Sequence, residues 1–122
     1  MRLALDIQAV TEARRFAREW AVAHAVPPPV VDDIELVVSE LVTNAVRHGA
    51  PPIELDLVED SGGAIRCEVY DASADVPRMK AAPDHLGGFG LRIVDSRTTS
   101  WGSSPVAEGK KVWFELNLLP YR

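Results

Sequence analysis

Apolar residues recur every three or four positions in the first part of the chain and every second position in much of the rest, which predicts helices first and strands after them. Val10, Ala13, Phe16, Ala17, Trp20 and Ala21 fall on one side of a helical projection, and Glu12, Arg14, Arg15, Arg18 and Glu19 fill the other. This helix is expected to start at Thr11 or a neighbour. It ends before Pro27-Pro28-Pro29, a stiff connector that proline geometry keeps out of the helix. A second stripe, Ile34, Val37, Val38, Leu41, Val42 and Ala45, follows Asp32-Asp33, whose carboxylates stand where they would cap free amides and complement the helix dipole. Gly49 and Pro51-Pro52 close it just after His48.

The period then changes to two. Ile53, Leu55 and Leu57 alternate with Glu54, Asp56 and Val58, and Ile65, Cys67 and Val69 alternate with Arg66, Glu68 and Tyr70, so a hairpin is expected around Asp60-Ser61-Gly62-Gly63. From Ala72 to Gly88 no period survives, and long irregular segments of this kind often carry function. Leu91, Ile93 and Val94 suggest a short helix running toward Arg97. Thr98 to Gly102 and Lys110 to Leu119 read as two last strands around a turn at Gly102-Ser103-Ser104-Pro105, with Val112, Phe114, Leu116 and Leu118 facing inward. Helices and strands grouped in this order favour an α+β fold, a two-layer α/β sandwich with helices on one face of a mixed, mostly antiparallel sheet.

At 122 residues the chain suits a single domain, 1–122, with room for a sizeable core. A formal charge of −5, from 18 acidic and 13 basic side chains, argues against a broad nucleic-acid-binding face, so any phosphate site must be built locally. No apolar run is long enough to span a membrane and the start is too poor in apolar residues for a signal peptide, so a cytoplasmic location is expected. The lone Cys67 lies in an alternating strand and reads as a reduced, structural thiol.

Three stretches carry candidate chemistry. In Glu40-Leu41-Val42-Thr43-Asn44-Ala45-Val46-Arg47-His48, a carboxylate, a carboxamide and an imidazole stand four apart and share one helical edge. Read alone, they are the solvated side of an amphipathic helix. Read as a site, Asn44 offers an oxygen to Mg²⁺, Glu40 accepts a proton or holds a metal-bound water, and Arg47 and His48 reach phosphate or ribose. Asp71 ends a strand, where it is either a turn residue or an acceptor for the amino group of adenine. Gly87-Gly88-Phe89-Gly90-Leu91 opens a helix with bare backbone amides that can face an anion. It is not a Walker loop, lacking the lysine and hydroxyl residue after the last glycine. Histidines 24, 48 and 85 show no metal-ligand spacing.

In order, Glu40 to His48, then Asp71-Ala72-Ser73-Ala74-Asp75-Val76-Pro77, then Gly87 to Val94 resemble the asparagine box and two glycine boxes of the GHKL ATPases, which share the Bergerat fold. The early helix, Trp101-Gly102 and the run Gly109 to Phe114 look most like the anti-sigma-factor serine/threonine kinases. The resemblance implies that Asn44 coordinates Mg²⁺, Glu40 is the catalytic base, and Asp71, with Ser73, recognises adenine. It also implies that Arg47 and His48 approach the phosphates or ribose and that Pro77, Gly88, Phe89, Gly90 and Leu91 belong to the nucleotide-binding boxes. The implied cofactors are ATP and Mg²⁺. The implied partners are a sigma factor, a STAS-type antagonist phosphorylated on serine, and a second copy in a homodimer, with neither nucleic acid nor membrane bound directly. The sequence departs from Asp-x-Gly-x-Gly by placing Ser73 and Asp75 at the glycine positions. That departure supports the alternative of a nucleotide-binding or partner-sequestering module without kinase activity. A third reading, the catalytic end of a histidine kinase, ranks last because no helical region for the phosphorylated histidine precedes the domain.

Overall fold

The computed structural model describes residues 1–74 and 90–121. Its elements are β1 (Arg2–Leu3), α1 (Gln8–Ala23), α2 (Pro28–His48), β2 (Ile53–Glu59), β3 (Ala64–Asp71), α3 (Gly90–Arg97), β4 (Ser100–Val106) and β5 (Gly109–Asn117), followed by a 3₁₀ turn at Leu119–Tyr121. Helix α1 starts earlier than Thr11 because Asp6 takes up its first amides: Oδ1 accepts the N–H of Gln8 at 2.9 Å and of Ala9 at 3.2 Å. Its most buried side is an alanine seam, Ala9, Ala13, Ala17 and Ala21, with Val10, Phe16 and Trp20 packed at the margin of the core. Alanines four apart let α1 lie close against α2.

Helix α2 corrects the expectation of a proline connector. Pro28 and Pro29 form its first turn, where an amide hydrogen would have no intrahelical acceptor and the fixed φ of proline suits the helix. Asp32 and Asp33 consequently sit past the first turn and pair with arginines instead of capping: Arg18 reaches Asp32 at 2.6 Å and Arg97 reaches Asp33 at 2.7 Å. The stripe from Ile34 to Ala45 is buried as expected.

The sheet order is β1-β2-β3-β5-β4, and every described pairing is antiparallel. Ile65, Cys67 and Val69 of β3 and Val112, Phe114 and Leu116 of β5 face the helices, and the core lies between these two layers. Burial pushes the Cys67 thiol far up, so it stays protonated and packs as a small apolar side chain. The other sheet face carries polar side chains, with Arg66 stacked 4.4 Å from the Trp113 ring centre and paired with Glu115 at 2.6 Å. Asp60 builds the expected hairpin by accepting the amides of Gly62 (2.8 Å) and Ala64 (3.0 Å), and Gly63 supplies the positive φ.

The last hairpin turns elsewhere than expected. Gly102, Ser103, Ser104 and Pro105 are inside β4, and the chain reverses at Ala107 and Glu108. Gly102 pairs with Trp113, and a Cβ at Gly102 would lie 2.8 Å from the Trp113 ring. The glycine therefore makes room for an indole, and Pro105 is tolerated because β4 is an edge strand. Among the described residues no helix is long and apolar enough to cross a membrane.

Candidate functional site

Glu40 and Asn44 are half-buried on α2, and Arg47 and His48 are exposed in its last turn, where positive charge suits the helix dipole. Between them the Thr43 hydroxyl donates back to the Ser39 carbonyl at 2.7 Å, so it is engaged within the helix. Burial raises the Glu40 carboxyl above its ordinary value, and the positive charge of Arg47 opposes that shift. A carboxylate with raised proton affinity accepts a proton more readily.

The end of α2 meets the end of β3. Gly49 closes the helix with extended backbone, φ −93° and ψ −171°, which any residue adopts. Its glycine is required by contact: a Cβ there would lie 2.5 Å from the Ala45 carbonyl oxygen, 2.7 Å from Cγ of Asp71 and 3.0 Å from its Oδ1. The Ala72 amide donates to the Ala50 carbonyl at 2.8 Å and fastens the two segments. On the opposite side Gly109 leaves space for the Asp71 carbonyl and the Ala72 Cα. Asn44 lies five residues before Gly49, about 7.5 Å along the helix axis, with Glu40 one further turn away.

Asp71 bends the chain as a turn residue does, its Oδ1 accepting the Ser73 amide at 2.8 Å. Unlike a turn residue it is buried, at 2% exposure. Its counter-charge is Lys110, 6% exposed, whose Nζ stands 3.0 Å from both Oδ1 and Oδ2 and 3.4 Å from the Ser73 carbonyl oxygen. Sequence reasoning missed this lysine as a site residue. The signal was present: Lys110 lies in phase with the inward set Val112, Phe114, Leu116 and Leu118, a position where an uncompensated lysine is costly.

Helix α3 begins at Gly90, buries Leu91 and Val94, and is held to the start of α2 by Arg97 and Asp33. Leu91 is 6% exposed and belongs to the packing of this helix. Pro77, Gly88 and Phe89, with Asp75 and Gly87, lie outside the described residues. Among the described residues no group of three or more histidine, cysteine or acidic side chains could hold a metal ion. A cation with few protein ligands would depend on Asn44 and on oxygens of the nucleotide, a donor set that suits Mg²⁺.

The family described as histidine kinase-like ATPase domain matches residues 3–116. Among solved structures, the blue-light activated histidine kinase of Erythrobacter litoralis EL346 aligns over 80% of this chain and 34% of its own, with 22% identity and a TM-score of 0.59. Full-length ShkA in complex with AMPPNP aligns over 94% of this chain and 30% of its own, with 20% identity and a TM-score of 0.59. At such identities the likeness is one of fold, and the chain spans about a third of the length of these kinases. No curated protein matches the chain.

Proposed function

The chain belongs to the histidine kinase-like ATPase domain family, and from that premise we propose that it binds ATP with Mg²⁺ and transfers phosphate to a serine of a STAS-type partner, acting as an anti-sigma regulator. The observation that carries this reading is Glu40, a half-buried carboxyl with raised proton affinity, one turn before Asn44 on the helix whose end abuts Asp71. The bound nucleotide supplies the phosphoryl group. Asp71 would accept a hydrogen bond from the amino group of adenine, Asn44 would offer its amide oxygen to the metal, and Glu40 would take the proton of the serine hydroxyl as its oxygen bonds the γ-phosphorus and ADP leaves. Arg47 and His48, the basic residues of the last helical turn, meet the phosphates or ribose. A structural neighbour, ShkA, was crystallised with AMPPNP, which supports an ATP-type ligand for this fold.

The test is transfer of labelled γ-phosphate from ATP to a STAS-type protein from the same host. Acid-stable label on serine is the expected result. Acid-labile label, diagnostic of phosphohistidine, would point instead to a histidine kinase, and no ATP binding at millimolar nucleotide would overturn the nucleotide reading. A second reading, a module that holds a sigma factor without phosphorylating anything, is favoured by Ser73 and Asp75 at the glycine positions of the first glycine box. Sigma-factor binding that is unchanged by ATP or ADP, with no label transferred, would establish it.

A further inference from the structure

Asp71 and Lys110 are the buried charged side chains among the described residues, and they face each other at the floor of the proposed base site. Fixing a buried ion pair inside a core is a poor way to gain stability, since apolar residues of similar volume often serve as well. A role in recognition accounts for it better. An ionised carboxylate has about four acceptor positions. The Ser73 amide and Lys110 occupy Oδ1, and Lys110 also occupies Oδ2, which leaves one acceptor position on Oδ2. Lys110 Nζ is held between the two carboxylate oxygens, which lie too close together to take one proton each in line, and the Ser73 carbonyl oxygen. The carboxylate therefore keeps a single fixed place for one N–H, and as an acceptor it has no proton to offer a carbonyl on the base.

We propose that Lys110 is a positioning residue for base selection: by holding both oxygens of Asp71 it leaves one acceptor for the ligand in a fixed place, and so favours a base edge that presents an amino group over one that presents a carbonyl. This inference rests on the proposed ATP site. Lys110 acts through Asp71 and touches no reacting atom. Gly49 and Gly109 leave Asp71 its place, because a Cβ at Gly49 would overlap its carboxylate and one at Gly109 its backbone carbonyl.

The experiment is a double-mutant cycle on nucleotide affinity, using the full chain with ATP and GTP in calorimetry and a melting curve for each variant. The native protein binding ATP in preference to GTP is the first expected result. Native protein that binds neither nucleotide overturns the ATP site and this inference together. Lys110→Met is expected to weaken ATP about tenfold and to bring ATP and GTP closer together, while the same change in an Asp71→Asn background weakens ATP about twofold or less. Such non-additivity is the signature of a residue acting through Asp71, and a merely structural lysine would not produce it. If Lys110→Met fails to fold, Lys110→Gln, which keeps an N–H toward Asp71 without the charge, takes its place in the cycle. With the native protein binding ATP, equal losses in both backgrounds, or unchanged or tighter ATP binding by the Lys110 variants, overturn the inference alone.

Discussion

Gly49 and Asp71, distant in sequence, touch so closely that a single added methyl group at Gly49 would overlap the carboxylate. The Gly49 backbone is extended, which any residue adopts, and at such a position with open space around it a glycine-to-alanine change stabilises a chain by about 0.4–1 kcal/mol. Gly49→Ala is therefore expected to reverse that sign. It should cost about 1–3 kcal/mol by overpacking, and ATP should bind more weakly as Asp71 moves. Urea denaturation and calorimetry check both, and a stabilised Gly49→Ala protein would contradict the contact.

Glu40→Gln separates the base from the binding site. Loss of a general base should slow phosphoryl transfer by about 10²–10⁴-fold, with ATP affinity largely kept. The stability effect has the opposite sign. Burial raises the Glu40 carboxyl in the folded state, so its ionised form opposes folding above that raised pKa, and the penalty fades as pH falls through it and below the ordinary value. The variant should thus melt at a higher temperature than the native protein at pH 7, with the difference closing toward pH 4. Transfer by the native protein should decline on acidification at a higher pH than an ordinary carboxylate would give.

Asn44→Ala tests the metal. If the amide oxygen is a ligand, ATP should lose about tenfold in affinity when Mg²⁺ is present. Little should be lost in EDTA. Equal losses in both conditions would assign Asn44 to the nucleotide and remove it from the metal.

The alanine seam predicts a purely structural effect. Ala17 is fully buried between α1 and α2, so Ala17→Leu should destabilise by about 1–3 kcal/mol. Because the site lies at the far end of α2, nucleotide affinity should be unaffected in the folded fraction. Thermal denaturation with and without ATP distinguishes the two outcomes.

Much of this was legible from the chain alone. The stripe of α2, the alternation of β2, β3 and β5, and the Asp60 hairpin all appear where their periods place them, because each reflects burial of one element against a generic apolar layer. The edge formed by Glu40, Asn44 and His48 was likewise visible from its spacing. Its depth was not: Glu40 and Asn44 are half-buried while His48 is exposed.

What escaped the sequence depends on a second segment in each case. Arg2 and Leu3 are too few to signal a strand and become one only beside Glu54 and Ile53. Gly102 to Pro105 have turn chemistry, yet pairing with β5 and the Trp113 ring hold them extended. Lys110 is in phase with the inward residues of its strand, but only register sets it opposite Asp71. Local pattern set which faces are apolar and therefore the elements and their layering, since periodicity encodes how each residue meets solvent. The partners of Gly49, Asp71, Gly102 and Lys110 emerge on folding, because contact between distant segments is a property of pairs that no local period records.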